Sequence, residues 1–70
     1  MMTENMRIWL KALYLSEAQD HRETAQFEHL CALGSPTTEA ATLHEMNADE
    51  HREFANHLDW MAKQLEEGVA

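Results

Sequence analysis

The sequence predicts an all-α protein: an antiparallel helical hairpin that dimerises into a four-helix bundle. Three observations predict it. Residues 4–33 contain neither glycine nor proline, and residues 39–67 are equally unbroken. A single cluster, Gly34-Ser35-Pro36-Thr37-Thr38, interrupts the chain between them. Apolar residues recur in both long segments at the three- and four-residue spacing of an amphipathic helix, without the alternation of a strand.

The elements follow in order. Thr3 is suited to cap the first helix, expected over about residues 4–33. Met6, Trp9, Leu10, Leu13, Thr24, Phe27 and Cys31 form its main stripe. Ile8, Leu15 and Leu33 fall on the opposite side, as scattered surface hydrophobes or as a further oligomeric contact. The turn is expected at residues 34–37, where Gly34 closes one helix and Ser35-Pro36 opens the next. On the second helix, about residues 38–67, Leu43, Met46, Phe54, Leu58, Met61 and Leu65 lie on one arc, expected to be the buried seam. Two helices of this length would each span about 45 Å. The 70 residues form a single domain too small to be secure as a lone globule, so a homodimer or a multiple of dimers is expected.

Composition removes several function classes. Thirteen acidic residues against five basic ones give a formal charge of −8, which repels phosphate backbones and anionic lipid. Neither a nucleic-acid partner nor a membrane is expected. Lys11 interrupts the apolar run from Ile8 to Leu15, so no targeting or transmembrane segment is expected either. Cys31 is the only cysteine, which fits a reducing, cytoplasmic location. Ser16 and Ser35 lack an adjacent base with an orienting third group, and Gly34 is a helix stop rather than part of a phosphate loop.

Polar residues break the apolar stripes. Glu17 stands near the centre of the first, with Asp20 and His21 beside it; Glu50, Asn47 and His57 lie within the second, and Glu53 stands at its edge. Counted from Gly34, Glu17 is level with Glu50 and Asp20 with Asn47, so the interruptions form one mid-helix layer. A two-fold axis through that layer would bring at least four carboxylates together. Shared protons, nearby histidines or a metal ion relieve such repulsion. A polar layer that only fixes register is the alternative, with Asp20 and Glu53 as edge residues leaning into solvent. No His-x-x-x-His occurs, so a conventional histidine-rich zinc site is not expected.

The segment Asp49-Glu50-His51-Arg52-Glu53-Phe54-Ala55 resembles the metal-binding helix of ferritin-like proteins, in which an acidic residue precedes Glu-x-x-His and then alanine. Over Ala41 to Trp60 the run of Leu43, Glu50, Ala55, Leu58, Asp59 and Trp60 looks most like the encapsulated ferritins, whose subunit is also a two-helix hairpin. The resemblance implies that dimerisation builds a four-helix bundle and a di-iron site together. Glu50 matches the family's glutamate, Glu53 stands where its histidine would be, and the first-helix glutamate falls on Glu17 or Asp20, Glu17 fitting the level count better.

The expected metal ligands are therefore Glu17, Asp20, Glu50, Glu53 and His57, holding iron or manganese. The expected function is that of a small ferritin-like metal-binding protein that oxidises iron(II) at the dimer interface. The alternative is a non-enzymatic acidic helical dimer that regulates or inhibits a protein partner through a basic surface.

Overall fold

The computed structural model describes residues 2–67 and consists of two helices, α1 (Glu4–Leu33) and α2 (Thr38–Glu66), packed along their length as an antiparallel hairpin. Residue 1 and residues 68–70, which the single-domain expectation included, lie outside the described residues. The hairpin measures 52 × 15 × 13 Å, one helix thick in its shortest direction.

Local chemistry sets the helix ends. Thr3 Oγ1 accepts from the Met6 amide at 3.1 Å and caps α1, as its position before the unbroken segment suggests. At the turn, the Gly34 amide bonds to the Leu30 carbonyl at 3.2 Å, and the Ser35 hydroxyl donates to the Cys31 carbonyl at 2.7 Å. Ser35 thus finishes α1 instead of opening α2. The opening residue is Thr37, whose Oγ1 accepts from the Ala40 amide at 3.1 Å, so the chain spends four residues on reversing direction.

Those four residues correct the expected register. Cross-helix hydrogen bonds join His21 to His51 and Glu28 to His44, pairs equidistant from Pro36 and not from Gly34. Glu17 is accordingly level with residue 55, and Glu50 lies about 8 Å from it along the axis at 1.5 Å per residue. Asp20 stands within one residue of level with Glu53, and Glu17 within two of His57.

The buried seam also differs from the expected one. Its buried residues are Ala18, Ala25 and Ala32 on α1 and Ala48, Ala55 and Ala62 on α2, with Leu65 near the open end. Each alanine series repeats every seven residues, and Ala18 faces the level of Ala55 as Ala25 faces that of Ala48. A methyl side chain lets two backbones approach closely, which leaves bulky neighbours outside the contact. Of the expected second-helix seam only Leu65 is buried; Leu58 and Met61 are half-buried, while Leu43, Met46 and Phe54 are exposed. On α1, Met6, Trp9, Leu13 and Phe27 are exposed, as are Ile8, Leu15 and Leu33 on its far side.

The two flanks of the seam are chemically distinct. On one, Arg22 pairs with Asp59 at 2.5 Å, His29 with Glu45 at 2.7 Å, and Lys11 reaches Glu66 at 3.1 Å. Glu66 thereby ties α2 back to α1. On the other flank the helical spacing sets Leu10, Glu17, Thr24 and Cys31 beside Ala40, Asn47, Phe54 and Met61. One step further out stand Met6, Leu13, Asp20 and Phe27 on α1, and Leu43, Glu50 and His57 on α2.

Candidate functional site

This second flank reads as three zones along the hairpin. Near the turn it is apolar, with Phe27, Cys31 and Leu43; near the open end it is apolar again, with Met6, Leu10, Leu13 and Met61. Between them lies a belt of Glu17, Asp20, Glu50 and His57, with Glu53 at its margin. The belt occupies the middle of both helices, so its carboxylates stand on rigid backbone and not on a loop.

All five expected ligands are exposed in the single hairpin. Glu50, Glu53 and His57 line one surface depression of about 380 Å³ together with Phe54, because residues 50, 53, 54 and 57 share a helix face. The His57 ring stacks on Trp60, with centroids 5.7 Å apart and planes at 17°, which restricts its orientation. Glu17 and Asp20 come from the other helix at nearly the same height but do not line that depression. Among the described residues, no three His, Cys, Asp or Glu side chains of one chain converge closely enough to hold a metal ion. Four carboxylates and an imidazole are nevertheless a donor set suited to hard divalent ions such as manganese(II) and iron(II).

Beside the belt, the hairpin seam carries polar chemistry that sequence reasoning did not join up. His21 and His51 approach Nδ1 to Nδ1 at 2.8 Å across the helices, one ring donating to the other. Phe54 stacks on His21 at a centroid distance of 5.3 Å, linking this pair to the depression on the outer flank. One layer nearer the turn, His44 Nδ1 donates to Glu28 Oε2 at 2.5 Å. That bond holds the Glu28 carboxyl below its ordinary pKa, assisted by the charge of His44 and a hydrogen bond from Asn47, against a smaller opposing effect of burial. The signal was present in the sequence: His21 and His51 each lie fifteen residues from Pro36, and Glu28 and His44 each eight. A count centred on Gly34 hides both coincidences.

No protein-family model matches the chain, and comparison with curated proteins and with solved structures finds no significant match.

Proposed function

We propose that the chain acts as a metal-binding homodimer in which two hairpins pair through the apolar flank and enclose the carboxylate belt. The observation that carries this reading is the zoning of that flank, apolar at both ends and acidic in the middle. A two-fold axis through the belt sets the turn-end apolar zone of one hairpin against the open-end zone of the other. It also doubles the donor set, bringing two copies each of Glu17, Asp20, Glu50, Glu53 and His57 to one layer. Size supports the pairing: the hairpin exposes 5172 Å², whereas a compact monomer of this mass would expose about 4,500 Å².

Within the enclosed layer the carboxylates repel one another, and a divalent cation offsets that repulsion while satisfying their lone pairs. Glu50, Glu53 and His57 supply ligands from α2, and Glu17 and Asp20 supply them from α1. Iron or manganese is the ion this set suits, and oxidation of iron(II) by oxygen is implied by the likeness to the ferritin-like helix alone. Manganese(II) or iron(II) added to untagged protein is expected to raise the melting temperature, because an ion bound only by the folded dimer stabilises it.

Glu50→Leu tests the role of the belt most sharply. Without metal, the variant dimer is expected to be more stable by about 1–4 kcal/mol, since an uncompensated buried carboxylate gives way to apolar packing. The metal-induced rise should disappear. Loss of apo stability with an unchanged metal response would make Glu50 a register-setting residue. If no ion shifts the transition of the parent protein, the acidic dimer that engages a protein partner replaces the metal reading.

A further inference from the structure

We propose a second metal site within a single hairpin: a clamp formed by His21 of α1 and His51 of α2 that takes a late first-row divalent ion such as nickel(II) or zinc(II). It lies in the seam rather than on the outer flank, and it stands whether or not the carboxylate belt binds an ion.

The geometry carries the assignment. The two Nδ1 atoms face each other at 2.8 Å, held by the close approach of the backbones that Ala18, Ala48 and Ala55 permit. If each stood about 2.05 Å from an ion, their separation would subtend about 86° at it. That is near the right angle of tetragonal nickel(II) sites, and opening the pair to about 3.3 Å would give the tetrahedral angle preferred by zinc(II). Binding requires each ring to turn so that its Nδ1 lone pair leaves the line between the two nitrogens and meets the other's at the ion. In the empty site one ring donates its Nδ1 proton to the other; on binding, that ring carries its proton on Nε2 instead, so both nitrogens present lone pairs and no proton is lost.

Three further features favour occupancy. Neutral imidazole is the ligand type that suits late transition ions, whereas the outer belt is dominated by oxygen donors. Both rings are half-buried and not sealed, so an ion and completing water ligands can reach them. Phe54 stacked on His21 fixes that ring's orientation, the role an outer-shell contact plays in a built metal site.

The test uses the full untagged chain with nickel(II) chloride and zinc(II) chloride, read by calorimetric titration and by nitrogen-15 spectra of the imidazoles. One ion per hairpin is expected to bind, with the Nδ1 resonances of both His21 and His51 moving to metal-bound positions. His21→Asn and His51→Asn should each weaken binding by about tenfold or more, equivalent to about 1.4 kcal/mol. The double variant Glu50→Gln/His57→Ala, which removes two ligands of the outer belt, should still show the metal-bound Nδ1 resonances of His21 and His51, whatever ions the belt itself gives up. Either single histidine variant in which the remaining histidine keeps its metal-bound resonance would overturn the clamp, as would loss of both the His21 and His51 shifts in the belt variant. Should a histidine variant fail to fold, the parent spectra decide: saturating ion that leaves the His21 and His51 nitrogens unmoved contradicts the assignment.

Discussion

The two flanks of the alanine seam solve different problems with residues drawn from the same helices. On the charged flank, Arg22, His29 and Lys11 each meet an acidic partner on α2, and the large apolar residues on that side of α1, Ile8, Leu15 and Leu33, are spread along the helix. On the zoned flank, apolar side chains cluster at both ends, and among the described residues no cation on the opposite helix pairs with the carboxylates between them. Charge is paired across the helices on one flank and left unpaired on the other. The proposed dimer would cover the other side, where apolar and acidic groups have no partner across the hairpin among the described residues.

The largest effect should come from the seam that both flanks share. Ala18 is fully enclosed opposite the level of Ala55, so Ala18→Leu must force the helices apart. Overpacking of this kind is expected to cost about 3 kcal/mol, read as a lower denaturant midpoint. An unchanged midpoint would mean that the alanine contact is loose and that the flanks are not separated by a rigid seam.

Leu43→Glu addresses the zoned flank alone. Leu43 is 60% exposed in one hairpin, so the change leaves the intramolecular seam intact but places a charge in the proposed interface. It should weaken dimerisation by about 2 kcal/mol, measured by sedimentation equilibrium, while helix content at high protein concentration is maintained. A dimer that tolerates the charge would move the interface elsewhere.

A smaller, pH-dependent effect separates seam electrostatics from either flank. Because the folded-state pKa of Glu28 is depressed, its stabilising contribution is complete above the ordinary value of 4.5 and is lost as pH falls through the folded value. Glu28→Gln should therefore flatten the acid limb of the stability profile below that pH and leave its shape above unchanged. The smallest effect belongs to the charged flank: Arg22→Ala removes an ion pair whose side chains are 41% and 42% exposed, and should cost no more than about 1 kcal/mol. A larger loss would give that flank a structural weight that solvent-screened pairs do not normally have.

The hairpin was legible because its signals are local: two unbroken helical segments, a threonine cap at Thr3, and one cluster of breakers around Gly34 and Pro36. Packing was less legible. Six alanines at seven-residue spacing carry little hydrophobic weight beside Phe54, Leu43 or Met46, so a reading led by bulk overlooks the seam within one hairpin. The register error has an equally plain cause, since Thr37 and not Ser35 caps α2, and moving the pivot from Gly34 to Pro36 shifts every cross-helix pair. That shift separates Glu17 from Glu50 and sets Asp20 within one residue of level with Glu53, while keeping the proposed ligands within one belt. The His21–His51 contact needed the correct pivot to be seen at all.

Everything proposed for the belt depends on the zoned flank being covered by a second copy of the chain. Sedimentation equilibrium of the untagged protein at micromolar concentration, without added metal, measures this directly. The account predicts a cooperatively folded species of twice 8.1 kDa, or an even multiple of that mass, with high helix content. A stable, cooperatively folded 8.1 kDa monomer would contradict it, leaving the apolar zones open to water and the carboxylates without the enclosure that the site requires.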